Sequence, residues 1–167
     1  GPGEVPNGCS RKGKFMVCQW PLDEAPGGIR IFECQHKKPD TGWLADLQKH
    51  ANTARRLKQV IILSSEPEKD AKQLARMIDR EIYVGQGGAS FVPSGSNRAD
   101  FVFLTRELLG RQFPGFSMVG LPEPGAAALV FVADDLASAE YALGAEGLRI
   151  EAGVSGPPSA PHGVFLA

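Results

Sequence analysis

The sequence predicts an α+β fold: tandem strand–helix–strand–strand–strand (βαβββ) modules that pair into one curved mixed sheet with the helices outside. Three observations carry that expectation. Two strongly apolar β-type runs, Leu57–Ser64 and Ala126–Ala133, each lead within a few residues into an acidic helix start. After each helix come short strand-like runs separated by Gly/Pro turns. The 20 glycines and 13 prolines, about a fifth of the 167 residues, disfavour a long helical bundle, because these are the two weakest helix formers.

The elements follow in order. Residues Gly1–Arg11 read as a Gly/Pro/Ser-rich loop. Lys14–Trp20 (KFMVCQW) and Ile29–Gln35 (IRIFECQ) flank a Pro26–Gly28 turn and predict an antiparallel hairpin. His36–Asn52 forms a polar connector, with a short helix around Leu44–His50. Leu57–Ser64 predicts a buried strand. Ser65 reads as the N-cap of the next helix, with Pro67 in the first turn and Glu68 three residues after the cap. That helix runs to about Ile78, because Ala71, Leu74, Ala75 and Ile78 recur at i, i+3, i+4 and i+7. Glu81–Val84, Ala89–Val92 and Asp100–Thr105 read as strands, and Thr105 caps a short helix over Arg106–Gln112. In the second stretch Asp134 or Asp135 caps a helix over Leu136–Ala145, and Leu148–Glu151 and His162–Ala167 read as strands.

Residues 1–56 thus form the end of a partial module (the hairpin) plus a connector, and residues 57–167 form two paired modules in one compact domain. A unit of about 50 residues buries little core alone, which is the reason to expect the two to pair.

Charge and cysteines narrow the function. Eighteen basic and nineteen acidic residues give a net charge of −1, which disfavours a dedicated nucleic-acid binder. The densest basic cluster, Arg55, Arg56 and Lys58, reads as a solvated rim before a strand. Three cysteines, Cys9, Cys18 and Cys34, with no CxxC pair argue against a disulfide framework or a zinc ribbon. Cys18 and Cys34 sit in apolar runs, so buried thiols and a cytoplasmic location are expected. No apolar run is long enough to cross a membrane as a helix, so no membrane partner is expected. The Gly85–Gly88 turn does not open a helix and is not a phosphate loop, and Ser94–Ser96 lacks the setting of a nucleophile elbow. No catalytic residue is assigned.

One stretch is more specific. Phe32, Cys34, Gln35 and His36, then Trp43, then Gln48, His50, Asn52 and Ala54 resemble the bacterial glyoxalase-like domain proteins of the vicinal-oxygen-chelate superfamily, with their F-x-C-Q-H and Q-x-H-x-N-x-A stretches. The match is tight over some 25 residues and rests on module order elsewhere. It implies a small organic molecule bound in a curved-sheet cavity, with Gln35, His36, Trp43, His50 and Asn52 as ligand-binding candidates. It also implies a divalent metal (Zn, Ni, Mn or Fe) that polarises vicinal oxygens in lyase, isomerase or dioxygenase chemistry. Gln59 stands where the first complete module would place a ligand. The other expected positions hold Thr105, Ala128 and Ala167, which leaves Glu33 and His36 as further metal candidates. The alternatives are a metal-free binding module of the resistance type, or a non-catalytic part of a larger enzyme. The plainer reading of His36, Trp43, His50 and Asn52 is that they pin the connector against the sheet by hydrogen bonds and packing. Family chains carry further modules upstream, so a homodimer or missing upstream modules is expected to cover the hairpin edge.

Overall fold

A computed structural model describes residues 14–37, 48–114, 117–145 and 165–166. The chain divides into two compact units, one of Gly1–Ala25 with Arg30–Lys49 and one of Pro26–Ile29 with His50–Ala167. The class is α+β with a mixed sheet.

The first unit holds the expected hairpin. β1 (Phe15–Gln19) pairs antiparallel with β2 (Phe32–His36) as a two-stranded sheet. All ten strand residues are exposed, with Phe15 at 55%, Met16 at 59% and Phe32 at 59%. The expectation of buried thiols at Cys18 and Cys34 fails here, since both are exposed. Apolar neighbours along a strand bury a thiol only if another layer covers them, and a lone hairpin supplies none.

The second unit is a six-stranded sheet in the order β4–β5–β6–β3–β7–β8. β3 (Ala54–Leu63) is its centre, parallel to β6 (Asp100–Leu104) and antiparallel to β7 (Gly125–Ala133). Between β3 and β6 come α1 (Pro67–Met77), β4 (Tyr83–Val84) and β5 (Ser90–Val92). A parallel pair needs such a crossover, because no tight turn can return the chain to the same end. The first stretch therefore has the expected strand–helix–strand–strand–strand order. In the second stretch the described residues give β7, α3 (Leu136–Ala145) and the two-residue β8 (Phe165–Leu166), which pairs antiparallel with β7. The strand expected at Leu148–Glu151 lies outside the described residues.

β3 starts at Ala54, earlier than the apolar run suggests, so Arg55 and Arg56 lie within the strand rather than before it. Pairing with β7 extends the ladder, and the Asp134 amide donates to the Thr53 carbonyl at 3.1 Å just beyond it.

Side-chain alternation sorts the core into two layers. Ile61, Leu63, Val102 and Leu104 cluster with Leu108 and Leu109 of α2 (Arg106–Gln112). Ile62 and Phe103 point to the other face, where α1 buries Ala71, Leu74 and Ala75. Gly27 lies on that face at φ 58°, and a Cβ there would sit 2.8 Å from Ile62 Cγ2, so only glycine fits. Helices thus cover both faces of the sheet, not the outside alone. α2 is short, but its adjacent Leu108 and Leu109 are buried, which supplies the reason. Among the described residues no helix is long and apolar enough to cross a membrane.

Helix starts follow capping chemistry. Thr105 caps α2 as expected, its hydroxyl accepting from the Leu108 amide at 3.2 Å. α1 differs: Pro67 opens it, and the preceding residue is Glu66, not Ser65. The buried Ser64 does the work, accepting from the Glu66 amide at 2.9 Å and donating to the Asp70 carboxylate. For α3 the choice falls on Asp135, whose carboxylate accepts from the Ser138 hydroxyl and, at 2.9 Å, from the Ser138 amide. These bonds, the hydroxyl's foremost, hold Asp135 below the usual carboxylate range.

Two outcomes follow. The Ser90 hydroxyl is fully buried beneath α1 with no hydrogen-bond partner. Ser90→Ala should therefore raise stability by about 1 kcal/mol, read as a higher urea midpoint at unchanged m-value. A depressed folded-state pKa contributes stability that is present above the unfolded value and is lost as pH falls through the folded one. Asp135→Ala should accordingly melt below wild type at neutral pH, and the gap should close in acid below the carboxylate range.

Candidate functional site

The hairpin register places its candidate residues on opposite faces. Cys18 stands opposite Glu33 and Met16 opposite Gln35, so Glu33 and Gln35 share one face. Phe15 stands opposite His36 and Val17 opposite Cys34, and these share the other. The Phe15 and His36 rings lie 6.4 Å apart. The Lys37 ammonium donates to Gln35 Oε1. The strand pleat therefore does not bring Glu33 and His36 together.

Trp43 lies outside the described residues. His50 is exposed, and its carbonyl accepts from the Thr53 amide at 3.0 Å. Asn52 is half-buried, and its Oδ1 accepts from the Ala54 amide at 3.2 Å. Thr53, at φ 55°, donates its hydroxyl to the Asp135 carbonyl at 2.9 Å and accepts from the Asp135 amide at 3.2 Å. The end of the connector is thus tied by backbone-directed bonds to the start of β3 and the cap of α3. Thr53 makes the longest-range of these ties, and nothing in its local sequence marked it.

Gln59 sits half-buried on β3, with Asp100 beside it on β6 and Val130 beside it on β7. Alternation puts Gln59 and Asp100 on the face that carries Ile61 and Leu63. Burial declines along this face, from Leu63 at 0% and Ile61 at 1% to the half-buried Gln59. The pair therefore forms a polar row at the less covered end of the α2 layer.

The divalent metal implied by the resemblance was tested against these positions. Gln59 and Asp100 supply two oxygen donors. Thr105 already accepts the Leu108 amide, and Ala128 is buried without a donor atom. Among the described residues no group of three or more His, Cys, Asp or Glu side chains converges as a metal site would require. Among the described residues the donor set therefore does not fit the group.

A feature missed in the sequence lies on the outer side of α1. A groove of about 790 Å³ is lined by Glu68, Lys69, Lys72, Arg76 and Arg80 together with the apolar Ala75 and Ile82. The signal was present: Lys69, Lys72 and Arg76 recur at i, i+3 and i+7, the helical period, and Arg80 continues the series four residues on. Glu66 pairs with Lys69 at 2.5 Å and Glu68 with Lys72 at 2.6 Å. The hydrogen bond to Glu66, then its charge, holds the Lys69 ammonium above the ordinary lysine value.

Compared with known proteins, the chain matches no family model, no curated protein and no solved structure.

The hairpin geometry makes a chemical prediction. Cys18 and Cys34 are exposed but point to opposite faces, so they cannot close a disulfide within the hairpin. In native protein both should react with a charged thiol reagent, and peptide mapping should find each labelled singly. Protection of either until denaturant is added would count against an exposed hairpin.

Proposed function

We propose that the chain is a small-molecule-binding module of glyoxalase-like type, and that it binds its ligand without a metal held by its own residues. The strand–helix–strand–strand–strand unit from β3 to β6 supports this reading most. Its first and last strands lie in parallel, and β3, its first strand, pairs with β7, the first strand of the second stretch. The divergence of Glu33 and His36 favours binding over metal-dependent chemistry.

The ligand position is the row formed by Gln59 and Asp100. An amide can both donate and accept, and a carboxylate accepts. A compound offering hydroxyl or amino donors beside an apolar body suits these two groups and the flanking Val130.

A thermal-shift screen of diols, hydroxy acids and 2-oxoaldehydes, run in chelator and again with Zn, Ni, Mn or Fe, tests the reading. A ligand at a hundred times its Kd stabilises the folded state by about 2.7 kcal/mol, enough for a clear shift. The expected result is a compound that raises Tm in chelator and loses that effect in Gln59→Ala. A shift that requires one of the metals would instead favour the metal-dependent enzyme.

A further inference from the structure

The groove on α1 stands apart from the Gln59 row and does not depend on the family resemblance. We propose that it binds a phosphate-bearing small molecule, with the phosphate held between Arg76 and Arg80.

The four cations are not equivalent. Lys69 and Lys72 are each satisfied by a carboxylate on α1 or just before it. Among the described residues neither Arg76 nor Arg80 has a carboxylate partner. Arg80 donates Nη1 to the Asp79 carbonyl at 3.0 Å, which leaves its other donors available.

The helix dipole accounts for part of this. A cation in the last turn is favourable without any ligand, and Arg76 is such a cation. Arg80 lies beyond the helix end, where that explanation lapses. Two guanidiniums lining one groove repel one another unless an anion sits between them. One carboxylate is satisfied by a single arginine fork, whereas a phosphate offers three oxygens and up to two negative charges, enough for two forks. Ala75 and Ile82 supply an apolar floor beside the phosphate position, so the ligand carries an organic body as well. A nucleic acid fits less well. From Lys69 to Arg76 the row spans about 10 Å at 1.5 Å per residue, short of the six to ten phosphates a typical nucleic-acid footprint engages.

Isothermal titration tests the proposal, with inorganic phosphate, pyrophosphate and adenosine monophosphate as probes and sodium sulfate and adenosine as controls at matched ionic strength. The expected result is saturable one-to-one binding of adenosine monophosphate, weaker binding of inorganic phosphate and none of adenosine. Affinity should fall about tenfold or more in Arg76→Gln and in Arg80→Gln, and Arg80→Lys should recover only part of it, because an ammonium cannot form the fork. Lys58→Gln, on β3, should bind as wild type. Thermal melting of each variant checks that the fold is intact. Absence of saturable binding to any phosphate probe, or binding unchanged in both arginine variants, overturns the proposal. So does tighter binding of a single-stranded or duplex oligonucleotide than of adenosine monophosphate, which would make the groove a nucleic-acid surface.

Discussion

The second unit depends on one short stretch, Ile61–Ile62–Leu63, which is buried on both faces and paired on both edges. Each of these side chains is worth about 1.5–3 kcal/mol when fully withdrawn from water, but only if both layers are present. Ile62 needs α1 and the Pro26–Gly28 turn; Ile61 and Leu63 need α2. The parallel partner on one edge forces the crossover through α1, and the antiparallel partner on the other sets α3 at the end of β7. A change that unseats this stretch releases two helices and two strand pairings together, so the unit should unfold as a whole rather than piece by piece.

The same constraint determines where a ligand can reach the sheet. Burial is complete toward Leu63 because α2 begins directly after β6 and folds back over that end. It decreases toward Gln59. A polar pair in the middle of the strand would be costly, since unsatisfied groups in a dry core lose their hydration. At the less covered end Gln59 and Asp100 keep access to water, and that access also admits a ligand. Ser90 shows the contrast: its hydroxyl lies under the opposite layer, where nothing can approach it.

Much of this was legible in single elements. The run Val60–Leu63, the apolar period of α1, the caps at Thr105 and Asp135, and the hairpin all depend on local spacing, and local spacing is what a sequence displays. The errors share a cause, which is that each required knowing what lies on the other side of an element. Ser65 met the criteria for a cap, but Ser64 was the serine that the end of β3 turned toward the helix. Cys18 and Cys34 were apolar by neighbourhood but lay on a sheet without a second layer. The leucines of α2 marked a buried face without saying which side of the sheet it would cover. Trp43, one part of the most specific resemblance, lies outside the described residues.

Net charge misled in a related way. A sum of −1 says that the molecule has no overall field, but it averages over surfaces that never meet. Glu66 precedes α1 and Glu68 and Asp70 lie in its first turn, where the helix dipole favours them, and the arginines lie toward and past its end. The segregation leaves one end of the groove positive within a nearly neutral chain. The Gln59 row has the opposite character, because Asp100 places a carboxylate in it. A phosphorylated compound drawn to Arg76 and Arg80 is repelled by Asp100, and an amine or polyol suited to Asp100 finds no acceptor among the arginines. The two positions therefore select different chemistry, and the charge of a bound compound distinguishes which of them holds it.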